Sequence, residues 1–246
     1  MTIKKKMLQA AAGAGKATVD VADVFSTYLY TGNGGTQTIT NEIDLSGEGG
    51  LVWIKDRNSG AKGHALFDTE RGVNIKLQSQ SATNGAFIAN QLTAFNANGF
   101  DIGTSGDING SGTTFASWTF RKAPKFFDVV TYTGNGVAGR TIAHDLGSVP
   151  GMITTKVTSK ANPWFVYHRS ASATQYLILN ATGAAVTSSA TWNNTEPTST
   201  EFTVGGNSTN ESGETFVAYL FAHETDADSM IQCGSFTTDS GGNFSV

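Results

Sequence analysis

The sequence is poor in cysteine, in charged residues and in long apolar runs, and each shortage excludes a class of protein. Cys233 is the single cysteine among 246 residues, which excludes an intrachain disulfide and a cysteine-rich metal site. No apolar run approaches the roughly 18 residues that a membrane-spanning helix needs, so we expect no membrane insertion. Charged residues make up 15%, well below the usual quarter or so, and strong helix formers are sparse.

Glycine is abundant instead, at 29 residues, and serine, threonine and asparagine fill much of the remaining sequence. These residues favour the turn conformations that short strands require. The content of 39% hydrophobic and 10% aromatic residues argues against disorder, because the apolar residues fall in regular short runs. The composition therefore indicates a folded protein of strands and turns.

Charge is distributed unevenly along the chain. Residues 1–17 contain no acidic residue and four lysines, Lys4, Lys5, Lys6 and Lys16. The other residues hold 12 basic and 20 acidic side chains, a formal net charge of −8. An acidic body is a poor surface for nucleic acid, whose phosphates bind through lysine and arginine, so we expect no nucleic-acid partner. The start resembles a signal peptide, but the apolar run breaks at Gly13, so we interpret it as a retained arm.

Two copies of one pattern fill the chain. The segment Tyr-Thr-Gly-Asn-Gly occurs at residues 30–34 and again at 132–136. Four further pairs of similar blocks follow in the same order at nearly constant displacement: 51–55 with 152–156, 65–68 with 165–168, 100–103 with 202–205, and 112–120 with 213–221. Such self-similarity indicates duplication of one structural unit.

Each copy is typical of seven or eight short strands at regular spacing, with Thr-Gly-Asn-Gly expected to form a tight hairpin turn. The sequence thus predicts an all-β fold of two tandem β-sandwich, jelly-roll-like domains of about 100 residues behind an extended or short-helical N-terminal arm. The predicted divisions are an arm at 1–24, repeats at 25–123 and 124–226, and at 227–246 the first strand of a third repeat. That strand would continue into further sequence or pair with a neighbouring subunit.

A search for chemistry finds no motif of a zinc protease, a serine hydrolase or a phosphate-binding loop. The four histidines (His64, His144, His168 and His223) have no nearby partner in the pattern of a catalytic dyad. We therefore predict no catalytic residue, no metal, no cofactor and no enzymatic activity.

Two weaker patterns leave alternatives open. Asp68 and Glu70 lie two positions apart, so in a strand they would share a face, as the carboxylate pair of a polysaccharide depolymerase must. Asp101, Asp107 and Asn109 lie in a Gly-rich stretch and could supply oxygen ligands to calcium, although turn formation explains them equally well.

Trp164 and Trp192 stand among polar residues and are candidate contacts for a glycan, because aromatic faces beside amide side chains suit sugars. The alternative is that both rings plug one end of a sandwich.

A longer pattern begins with Tyr-Thr-Gly-Asn-Gly, and its most specific part runs from His144 through Leu146-Gly147 and Pro150 to Lys156 and the Trp-Phe-Val-Tyr-His segment 164–168. It resembles tandem β-sandwich repeats, laminin-G-like or concanavalin-like, in virion proteins of tailed bacteriophages, those of marine and cyanobacterial phages above all. The block is degenerate in the first repeat, which has no proline there. The N-terminal segment Lys4, Lys5, Lys6, Met7 and Leu8 is also similar to the N-termini of such proteins.

The resemblance implies a structural protein of the virion, in the tail or its fibres, that is assembled in the host cytoplasm. It implies that residues 1–24, with Lys4 to Leu8, dock onto a tail or adaptor protein, that the chain forms a homo-oligomer, and that distal repeats contact the host surface or its glycans. The alternatives are a capsid decoration protein, a carbohydrate-binding module and a polysaccharide depolymerase.

Overall fold

The computed structural model describes residues 19–226 and 229–238. The prediction of an all-β fold is confirmed, since the described residues form seventeen strands and three helices of four residues each. In the first repeat the elements are α1 (Val21–Val24), β1 (Phe25–Thr31), β2 (Gln37–Thr40), β3 (Gly50–Asp56), β4 (Ala65–Asp68), β5 (Ile75–Lys76), β6 (Ala86–Phe87), β7 (Leu92–Asn96), β8 (Gly99–Ile102), α2 (Gly106–Asn109) and β9 (Thr114–Arg121). In the second they are β10 (Phe127–Thr133), β11 (Arg140–Ala143), β12 (Pro150–Val157), β13 (Phe165–His168), β14 (Gln175–Ile178), β15 (Val186–Thr187), α3 (Ser189–Trp192), β16 (Glu201–Val204) and β17 (Thr215–Ala222). None of the helices in this described part is long and apolar enough to cross a membrane.

The strand order shows the duplication. The large sheet of the first repeat has the order β1-β9-β3-β4, and that of the second begins with the equivalent order β10-β17-β12-β13 and continues with β14-β15. The small sheets, β2-β8-β7 and β11-β16, are likewise equivalent. All pairs of neighbouring strands are antiparallel. Each repeat is therefore a small sandwich of one large and one small sheet.

Side-chain alternation places a core on both faces of each large sheet. On β17, Ala218 and Leu220 enter the core of the second repeat, whereas Tyr219 and Phe221 enter a core that both repeats share. On β3, Val52 enters the core of the first repeat, and its neighbours on the strand enter the shared core. Because successive side chains of a strand point to opposite faces, the sheets stack in four layers, with the two large sheets face to face in the middle.

Aromatic rings fill the shared core where the linker passes. Phe120 lies 5.6 Å between ring centroids from both Phe127 and Phe221. Trp164 of the second repeat is fully buried there and stacks on Tyr219 at 6.0 Å. The two repeats thus share apolar surface that either one alone would expose to water.

The Tyr-Thr-Gly-Asn-Gly motif makes the same contacts in both repeats. Tyr30 Oη donates to the carbonyl of Ile108 at 2.7 Å, and Tyr132 Oη donates to that of Thr209 at 2.6 Å. The glycine that follows at 32 and 134 packs against backbone so closely that a Cβ would collide with it. The expected hairpin is wrong, however: β1 pairs with β9 and β2 with β8, so the motif crosses from the large sheet to the small one.

The end of the described chain corrects a further expectation. Residues 229–238 form no strand. Instead, Ile231 and Cys233 pack against the shared core, and the Cys233 amide donates to His223 Nδ1 at 3.0 Å. The described part of this segment therefore packs against the second repeat and contributes no strand of its own.

Candidate binding groove between the repeats

A buried polar network links the two repeats next to the shared core. Asp68, at the end of β4, is fully buried and accepts hydrogen bonds from Arg71 Nε at 2.6 Å, from the Arg71 amide at 2.9 Å and from Tyr219 Oη at 2.7 Å. Tyr219 lies on β17 of the other repeat, 151 positions away in sequence. The carboxylate is therefore neutralised and held by groups from both repeats.

The Arg71 guanidinium completes this network. It also donates to the carbonyls of Ile75 at 2.9 Å and Leu66 at 3.2 Å, and to Tyr219 Oη at 3.2 Å. Burial opposes the charge, but the Tyr219 hydroxyl and the Asp68 carboxylate outweigh it and raise the pKa of Arg71. Burial likewise raises the pKa of Tyr219 well above its ordinary value, so its hydroxyl stays protonated and donates to Asp68.

A cavity of about 430 Å³ lies beside this network, between the repeats. The first repeat contributes Glu70, Arg71 and Ile75 to its lining. The second contributes a set of threonines, Thr131, Thr133, Thr158 and Thr215. The backbone amide of Gly85 donates to the carbonyl of Thr158 at 3.0 Å, which joins the two sides. We call this cavity the inter-repeat groove.

The groove exists because the shared core ends partway along β10. The face that carries Phe127 and Val129 into the core continues as Thr131 and Thr133, which are exposed. On the equivalent strand β1 that face carries Leu29 instead of Thr131, and Leu29 is 58% exposed. The hydroxyl pair on this face is thus a feature of the second repeat.

The carboxylate pair considered for the alternative of a depolymerase is not formed. Asp68 has no exposed surface and is paired with Arg71, whereas Glu70 is exposed and lies 3.1 Å from Lys122 Nζ. Two carboxylates that act on one glycosidic bond must both reach the substrate. Asp68 instead stabilises the contact between the repeats.

The oxygen ligands considered for calcium also have other roles. Asp107 forms an ion pair with Lys76 at 2.7 Å, which holds its pKa below the ordinary value, and Asp101 accepts from Asn96 at 2.9 Å. Asn109 is buried and donates to the carbonyls of Gly35 and Gly103. No group of three or more His, Cys, Asp or Glu residues in the described ranges could hold a metal ion.

The structure favours the alternative interpretation of the two tryptophans. Trp164 and Trp192 are 0% and 1% exposed, so neither ring presents a face to a sugar, and the glycan contact expected of them is wrong. Trp164 Nε1 donates to the carbonyl of Gln78 in the first repeat at 2.9 Å. Trp192 packs edge-on against Tyr167 in the core of the second repeat. The docking residues Lys4, Lys5, Lys6, Met7 and Leu8 lie outside the described residues.

Sequence reasoning missed the threonines of the groove. Thr131 and Thr133 flank Tyr132 of the repeated motif, and their alternation with apolar residues is the one signal that could have marked them. For Glu70 the sequence indicates only a place in a carboxylate pair with Asp68. The partners across the groove cannot be found in the sequence, because they come from the other repeat.

These features define an all-β protein of two stacked sandwich repeats with a polar groove between them. A family model matches residues 20–244, and the chain belongs to this family, described as a domain of unknown function (DUF7483). The match contains both repeats. No curated protein and no solved structure matches the chain.

Proposed function

We propose that this protein is a structural component of a bacteriophage virion, a tail or tail-fibre protein that is anchored through its N-terminal arm. The observation that carries the proposal is the division between body and arm. The family match begins at residue 20, and the segment before it holds four lysines and no acidic residue, whereas the rest of the chain carries a net charge of −8.

The construction of the body supports a mechanical role. The two repeats share a core of aromatic rings, and Asp68, Arg71 and Tyr219 join them by buried hydrogen bonds. Burial of apolar surface and of satisfied polar groups at one interface fixes the relation between the repeats. Such a rigid body holds its far end at a fixed position relative to its point of attachment.

The arm supports attachment through charge. A lysine-rich segment is attracted to an acidic partner surface over long range. In this proposal the partner is a tail or adaptor protein, and several copies of the chain assemble around the symmetry axis of the particle.

The experiment that tests the proposal is co-purification with particles from an infection. We expect the full chain to sediment with particles and a chain that lacks residues 2–17 to remain in the soluble fraction while its body stays folded. Replacing Lys4, Lys5 and Lys6 by glutamine should weaken attachment, and replacing them by arginine should preserve it. Equal attachment of the truncated chain would contradict the proposal.

A further inference from the structure

We propose that the inter-repeat groove binds a neutral saccharide of one or two rings. The proposal can be tested on the purified protein and does not depend on the virion role. Within that role, the groove would give the body a contact with glycans of a host surface. It assigns the sugar to residues other than the tryptophans that the sequence suggested.

The first support is the hydrogen-bonding character of the lining. Thr131 and Thr133 lie on one face of β10 and are exposed, and neither hydroxyl is bonded to another described residue. Across the groove, Glu70 uses one carboxylate oxygen for Lys122, which leaves the other oxygen as an acceptor. Hydroxyls that both donate and accept, opposite a carboxylate that accepts, match the hydroxyl groups of a sugar.

Arg71 adds a donor that is already fixed in place. Its guanidinium has five N–H groups, and four hydrogen bonds hold it to Asp68, Leu66, Ile75 and Tyr219. One N–H is left without a partner among the described residues, in a side chain that lines the groove and is only 5% exposed. A donor held by four bonds loses little entropy when a ligand binds.

The charged side chains at the groove favour a neutral ligand over an anionic one. The Arg71 cation is compensated by Asp68 at 2.6 Å, and Lys122, outside the lining, is shared between Glu70 at 3.1 Å and Asp128 at 3.3 Å. No cation of the lining is left to pair with a phosphate, a sulfate or an acidic sugar. Glu70 would repel such groups.

Size and position agree with this ligand. The volume of about 430 Å³ lies at the lower end of the range of roughly 300–1,000 Å³ that is usual for small-molecule sites. Ile75 offers an apolar surface for the C–H groups of a sugar ring. Clefts between structural units are frequent binding sites because both units contribute groups to them.

The test adds a panel of sugars to the full chain. Binding is detected by saturation-transfer NMR, and affinity is measured by titration. The neutral probes are N-acetylglucosamine, maltose, cellobiose and lactose, and the charged comparators are glucuronic acid and glucose 6-phosphate. We expect binding of one or more neutral sugars and none of the charged pair. The variants Thr131→Val, Thr133→Val and Glu70→Ala should each weaken binding roughly three- to tenfold, as expected for one lost hydrogen bond.

The duplication supplies a matched control. Thr31 occupies in β1 the position that Thr133 occupies in β10, is exposed, and lies outside the groove. Thr31→Val should therefore leave sugar binding unchanged, and thermal unfolding should show that all four variants are folded. The same variants should attach to particles normally.

Three results would overturn the inference. They are the absence of binding by every neutral sugar of the panel, tighter binding of the charged sugars than of the neutral ones, and equal loss of binding in Thr31→Val and Thr133→Val. None of these results bears on attachment through the arm, so the two proposals can fail separately.

Discussion

Replacing Tyr219 with phenylalanine removes one hydroxyl from the network that joins the repeats. That hydroxyl donates to Asp68 at 2.7 Å and accepts from Arg71 at 3.2 Å, and the tyrosine is 2% exposed. Hydrogen bonds to charged groups contribute about 1.5–3 kcal/mol each to stability, and water cannot replace the hydroxyl in a buried site. We therefore expect Tyr219→Phe to reduce the free energy of unfolding by about 1.5–3 kcal/mol, chiefly through the bond to Asp68, because Arg71 keeps its three other hydrogen bonds.

The matched control is Tyr132→Phe. Tyr132 Oη donates to the neutral carbonyl of Thr209, within one repeat, at 2.6 Å. The loss of such a bond costs about 0.5–1.5 kcal/mol. The two substitutions remove the same atom, so their difference measures what the charged partners contribute to the contact between the repeats.

The assay is urea unfolding followed by tryptophan fluorescence and by circular dichroism. For a body of this size we expect Tyr219→Phe to lower the midpoint of thermal unfolding by roughly 3–12 °C. Both probes should report one transition with an unchanged slope, because the shared core makes the repeats unfold together. If Tyr219→Phe costs no more than Tyr132→Phe, or if the unaltered chain unfolds in two steps, the interpretation of the network is wrong.

The remaining predictions concern other buried groups. Lys156 is 1% exposed and donates to three carbonyls, one of them Ala82 in the first repeat, so Lys156→Met should cost about 2–4 kcal/mol in urea unfolding. The half-buried equivalent Lys55 bonds only within its own repeat, and a larger loss in Lys55→Met would refute this comparison. Trp164→Ala should cost about 3–5 kcal/mol by opening the shared core, and an effect below 1 kcal/mol would contradict its burial. Burial lowers the pKa of His144, so the folded state binds the proton less readily than the unfolded state. The contribution of His144 to the free energy of unfolding should therefore be complete above a pH of about 6.5, the ordinary pKa of histidine, and should be lost as the pH falls below it. His144→Gln should flatten this decline, and an unchanged slope would exclude His144 as its cause.

The sequence predicted the parts of the fold that depend on local patterns. Glycine-rich segments separate short apolar runs, and these runs coincide with observed strands such as Gly50–Asp56 and Glu201–Val204. The duplication was visible because each repeat retains the same contacts around Tyr30 and Tyr132. Residues that meet their partners within one repeat leave a recognisable pattern.

The stacking of the repeats could not be predicted in this way. Trp164 bonds to a carbonyl 86 positions away, and Tyr219 to a carboxylate 151 positions away. A ring among polar residues predicts an exposed side chain when its partner is unknown, and the structure shows instead that the first repeat covers it. The Asn-Gly signal failed for the same reason, since β9 rather than β2 is the partner of β1.

The inter-repeat groove could not be predicted from the sequence either. Glu70 could be selected from the sequence because carboxylates are few, but its spacing from Asp68 suggested catalysis. Burial of Asp68 by Arg71 removes that role and leaves Glu70 facing threonines of the second repeat. The identity of a site at an interface depends on both surfaces, and only the three-dimensional arrangement supplies the second one.

The proposed place of the protein in a virus particle is tested most directly by cryo-electron microscopy of intact particles. Density for the four-layered body should appear in several symmetric copies on the tail, with residue 20 towards the particle and the second repeat further out. Particles that lack this density, or that carry it on the capsid surface, would contradict the assignment to the tail.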